Sequence, residues 1–138
     1  MKAFKIIVSA ALAAILLTAC SFDRTKSLSV DLGNSEIFTQ GELEQAAQSV
    51  IKEMRNMNSV KEFYTLTYMG DEKALESLDY CNELAGGGIE KCIVFESSFL
   101  TKGPQDSNGF NPNDEYTGYQ WFVGKSAIGN WKILTSGY

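Results

Sequence analysis

The chain has 138 residues, with twelve basic against seventeen acidic side chains and no histidine. An acidic chain without a basic run is a poor electrostatic partner for nucleic acid, which excludes that class of function, or for anionic lipid. Without imidazole, Ser-His-Asp and Cys-His catalysis and histidine-ligated zinc are also excluded, leaving carboxylates, Tyr and Lys for any proton transfer.

From the N-terminus, Lys2 and Lys5 precede an apolar run over residues 6–17 that only Ser9 interrupts. About a dozen residues is too short for a hydrocarbon core, which needs about twenty, but suits a secretory signal. Leu17-Thr18-Ala19-Cys20 resembles the lipobox of bacterial lipoproteins. The resemblance implies a signal peptide over residues 1–19, a lipid such as palmitate on Cys20, and a protein held on the extracytoplasmic face of the cell membrane. Ser21 stands where an inner-membrane retention signal has aspartate, implying the outer membrane if the host has one. The competing reading is a plain secretory signal with an incidental cysteine. Loss of residues 1–19 removes Lys2 and Lys5 and leaves a net charge of −7.

Residues 20–36 are polar with scattered apolar positions, and read as a flexible tether of up to about 50 Å if extended. A single domain follows over residues 37–138. Thr39-Gln40-Gly41-Glu42 fits a capping box, and Leu43, Ala47, Val50, Met54 and Met57 recur at helical spacing. These predict a helix over about 40–57 with one buried stripe. Residues 62–69, aromatic and β-branched, predict a strand. The acidic segment 71–90 predicts a short helix over about 72–82, then a flexible connection at Gly86-Gly87-Gly88. This segment reads most simply as a solvated edge, and alternatively as a docking surface for a basic partner.

With Cys20 committed to lipid, Cys81 and Cys92 form an even pair, read as a structural disulfide in an oxidising compartment. The alternatives are a redox site, for which the spacing is wrong, and two separate buried thiols. Strands are predicted over 92–101, 116–125 and 131–135, with a polar loop over 102–115. The fold class expected is α+β, with one N-terminal amphipathic helix on a curved four-stranded antiparallel sheet.

Asn111-Pro112-Asn113-Asp114-Glu115-Tyr116-Thr117-Gly118-Tyr119-Gln120-Trp121, the strand Ile93-Val94-Phe95-Glu96-Ser97-Ser98-Phe99 and the ending from Asn130-Trp131 to Tyr138 resemble small lipoproteins of Gram-positive anaerobes. The resemblance implies a cystatin-like or NTF2-like fold and carries no catalytic residue.

Two constellations invite chemistry. Residues 106–115 are rich in side-chain oxygen, which calcium favours, but Phe110 occupies a ligand position and Gly109 comes early for an EF-hand. A plain loop is the simpler reading, and no cofactor or metal is expected. Tyr64, Tyr68, Phe95, Tyr119, Trp121 and Trp131 are candidate pocket-lining residues of a cone-shaped sheet, with core filling the rival and favoured reading. The sequence points to a non-enzymatic, lipid-anchored module that binds an envelope protein or peptide. Alternatives are a small-molecule or carboxylate-dependent enzymatic pocket and a surface inhibitor or immunity protein.

Overall fold

The computed structural model describes residues 22–138; the expected signal peptide and Cys20 lie outside the described residues. Helix α1 (Gln40–Asn56) starts at the capping box. Thr39 Oγ1 accepts from the Glu42 amide, and Glu42 Oε1 accepts from the Thr39 amide, both at 3.1 Å. Two of the helix's otherwise orphaned donors are thereby satisfied. Leu43, Ala46, Ala47, Val50, Ile51 and Met54 form its buried stripe. Met57 caps the C-terminal end and is only partly buried.

The stripe lies on a sheet of five strands in the order β1 (Ser29–Asp31), β2 (Val60–Tyr68), β3 (Ile89–Thr101), β4 (Glu115–Ser126) and β5 (Lys132–Gly137). The pairs from β2 to β5 are antiparallel. β1 runs parallel to β2, so the sheet is mixed. The parallel pairing follows from the path of the chain, since α1 makes the crossover between those two strands. The four-stranded antiparallel expectation is corrected at this edge, and the helix is preceded by a strand. The α+β class holds.

The same edge corrects the tether. Leu28, Val30 and Leu32 alternate along the chain and pack against the main core. Three residues of β1 pair with Thr65, Leu66 and Thr67. Further upstream Arg24 and Thr25 are buried. The described part of the segment is therefore built into the domain.

Breaks in register between Val60 and Glu62, Phe63 and Thr65, Ser97 and Phe99, and Phe122 and Val123 mark bulges or irregular pairing. Such irregularities bend and twist a sheet locally. Trp121, Phe63, Phe95 and Phe99 are fully buried there with Leu43, Met54 and Leu66.

The acidic segment forms two short helices, α2 (Asp71–Glu76) and α3 (Leu78–Ala85), not one. Leu78, Cys81, Cys92, Val94, Phe122 and Leu134 gather into a smaller second cluster. Gly86, Gly87 and Gly88 all adopt positive φ, between 77° and 100°. The triple glycine is thus a specific left-handed turn that side chains would strain. Asn82 holds its two sides together, accepting from the Ile89 amide at 2.8 Å and donating to the Ile89 carbonyl at 2.9 Å.

Candidate functional site

Five of the six candidate pocket residues are core. Tyr68, Phe95, Tyr119, Trp121 and Trp131 belong to the main buried cluster. Their polar atoms are mostly occupied inside the fold. Trp121 Nε1 donates to Ser97 Oγ at 2.9 Å, and Tyr119 Oη pairs with Ser136 Oγ at 3.0 Å. Trp131 Nε1 is buried without a partner among the described residues. Tyr64 is separate: it is the extra residue where register shifts between Phe63 and Thr65, and it is half-exposed. Desolvation, then the nearby carboxylates of Glu115 and Glu62, raise its hydroxyl pKa. The six residues do not share a cavity wall.

Tyr68 takes part in a polar knot at the other end of β2. Asp71 Oδ1 accepts from Tyr68 Oη and from Ser35 Oγ, each at 2.6 Å, while Oδ2 accepts from the Glu36 amide at 2.8 Å. Hydrogen bonds from Ser35 first, then Tyr68 and the Glu36 amide, hold the Asp71 carboxyl below its ordinary range. Burial and the Asp71 bond push the Tyr68 hydroxyl well up. Every partner is a neighbour in the fold, and the knot pins the connection between β1 and α1 to the start of α2.

An open site does exist, at the end of the sheet where α1 finishes. The turn from α1 into β2 and the loop after β3 face each other across a groove of about 520 Å³. Asn56, Met57, Asn58 and Ser59 line one side, and Gln105, Asp106 and Asn108 the other. Phe110 and Tyr119 complete the lining. Of the sequence-predicted pocket residues, only Tyr119 reaches it.

The loop side is held in shape by local chemistry. Phe110 packs on Phe99, Tyr116 and Tyr119 with ring centroids 5.1 to 6.1 Å apart. Thr101 Oγ1 donates to the Asn111 carbonyl at 2.6 Å and accepts from the Asp114 amide at 2.9 Å. Asn108 and Asn113 hold positive φ, which asparagine tolerates better than most residues. Asp114 bonds to Asn111 and to the Glu115 amide. Among the described residues no group of three acidic or cysteine side chains converges to hold a metal ion. The oxygen-rich loop is organised around Phe110, the residue that spoils its calcium register.

The groove offers four side-chain amides, one carboxylate and an apolar base. Each amide both donates and accepts, a set that matches neutral polar groups such as a peptide backbone. The lining holds neither a nucleophile–base pair nor paired carboxylates. The loop was legible in the sequence, whereas its partner segment, Asn56-Met57-Asn58-Ser59, reads there only as a helix end. The Sγ atoms of Cys81 and Cys92 lie 2.17 Å apart, far from the groove in the second cluster, positioned for a disulfide. Comparison with protein families, curated proteins and solved structures finds no match for this chain.

Proposed function

We propose that this protein is a non-enzymatic binding module, anchored by a lipid on Cys20 to the extracytoplasmic face of a bacterial membrane, that takes an envelope protein or peptide. The observation that carries the reading is the lining of the groove. Five of the six candidate aromatics are buried in the core of the described residues, and the groove beside the α1 terminus is lined by amides rather than by an acid–base pair. An extended peptide has alternating N–H and C=O groups that such amides complement, and Met57 and Phe110 suit an apolar side chain. The helix lying across the sheet also supports reading the fold as cystatin-like or NTF2-like. No helix among the described residues is long and apolar enough to cross a membrane. The anchorage is read from the lipobox at Leu17-Thr18-Ala19-Cys20.

Native mass spectrometry after gentle extraction from the host membrane tests the function. A co-extracted polypeptide, lost in the double variant Asn56→Ala/Gln105→Ala, is the expected result. A bound mass of a few hundred daltons lost in the same variant would replace the peptide reading with a small-molecule one.

A further inference from the structure

We propose that the end of the domain around Phe22 is a bilayer-docking face, with the Phe22 ring seated in the lipid interface and the groove presented next to the membrane surface. This rests on the lipid anchor at Cys20 and concerns how the anchored domain is held.

Little chain lies between the anchor and the fold. The Phe63 amide donates to the Arg24 carbonyl at 2.8 Å, and Thr25 is fully buried. The Arg24 guanidinium donates to the Arg55 and Val60 carbonyls and to Asn58 Oδ1. The fold therefore grips the chain from residue 24 onward. Only Ser21 separates Cys20 from Phe22. Two residues of chain span at most about 7 Å. The polar layer on each side of a hydrocarbon core is itself about 5–8 Å deep. A lipid on Cys20 thus places Phe22 within or against that layer.

The side chains at this position suit such a place. Phe22 is 64% exposed, among the largest apolar side chains that the domain leaves in the open. The Arg24 guanidinium and the Lys102 ammonium lie 5.3 and 5.8 Å from the centre of its ring. An aromatic ring flanked by long basic side chains is the usual composition of an interfacial anchor. Here Lys102 can reach toward headgroups, while the buried Arg24 holds the ring against the fold. Asp23, the one acid of the arm, accepts from Thr25 and faces Arg55 at 4.0 Å, so its charge is met within the fold.

The groove shares this end. Asn58, which lines it, accepts from Arg24, and the Ser59 carbonyl accepts from the Lys102 amide. A polypeptide bound there is met close to the bilayer, which narrows the partner to a membrane-proximal segment.

The test uses full-length protein made in a lipoprotein-processing host and reconstituted in phosphatidylcholine vesicles with or without brominated acyl chains. Intact mass reports the lipid on Cys20. Two variants each add an exposed indole: Phe22→Trp, and Ile128→Trp in the turn between β4 and β5 at the far end of the sheet. Emission above the wild-type background of Trp121 and Trp131 is compared. The expected result is that brominated lipid quenches the added emission of the Phe22→Trp variant several-fold more than that of the Ile128→Trp variant. Equal quenching in the two variants, in protein shown to be lipidated, would overturn the docking face and leave the anchor standing. An unmodified Cys20 would overturn both.

Discussion

Arg24→Ala is the sharpest test of the claim that residues 22–36 belong to the fold. Arg24 is 8% exposed, and its guanidinium donates to two main-chain carbonyls, Arg55 at the end of α1 and Val60 at the start of β2. Its third contact, to Asn58 Oδ1, is long at 3.4 Å and counts for little. A buried carbonyl left without its donor costs about 1–3 kcal/mol. Losing a cation at a helix C-terminus costs about 0.3–1 kcal/mol more. Removing a desolvated charge beside Arg55 offsets part of this, so the expected loss is about 2–4 kcal/mol. With a urea m-value of about 2 kcal/mol/M, the middle of the usual range, the unfolding midpoint falls by about 1–2 M with m unchanged. Arg24→Lys, which keeps the charge and loses the fork, falls between. Hydrogen exchange gives the local version: the Phe63 amide, bonded to the Arg24 carbonyl, loses protection in the variant before α1 does. A loss under about 0.5 kcal/mol, the level of an ordinary surface change, would mean the segment is a tether after all.

Three further outcomes follow from the packing. Replacing Cys81 and Cys92 by serine opens a loop of 11-residue separation and lowers stability by about 3 kcal/mol in the chain-entropy model, measured by urea unfolding. Asp71 and Glu42 both have carboxyl pKa values depressed in the fold, Glu42 chiefly by its bond to Lys91. Their stabilisation is therefore full above the ordinary carboxylate pKa of about 4 and is lost as pH falls through the depressed values. Asp71→Asn and Lys91→Met should each flatten the acid limb of stability against pH, and an unchanged limb would refute the assignment. Gly124→Ala sets a methyl 2.8 Å from Leu134 Cδ1 and 3.2 Å from Ile89 Cγ2. Because the leucine tip can move, the loss should be about 1 kcal/mol, the low end for overpacking, read from thermal unfolding.

Local signals carried much of the architecture. The capping box and the stripe from Leu43 to Met54 placed α1 within a residue or two, because both depend on contacts three or four residues apart. The aromatic and β-branched runs placed the four long strands, because strand preference and two-residue alternation are also local. β1 was harder to see. Leu28, Val30 and Leu32 alternate as a strand should, but three paired residues among polar ones look like linker until β2 is there to receive them.

The α+β class, the amphipathic helix and the lack of any histidine were legible in composition and short-range spacing. Burial of Trp121, Phe95 and Tyr119 in the core agrees with the favoured sequence reading, but only the packed fold sets Tyr64 apart from them and brings Asn56–Ser59 to face Gln105–Asn108 across open space. Which face an aromatic takes depends on bulges such as the one between Phe63 and Thr65. Which distant segments meet depends on where α1 ends against the sheet. Both are long-range outcomes of packing that no local pattern encodes.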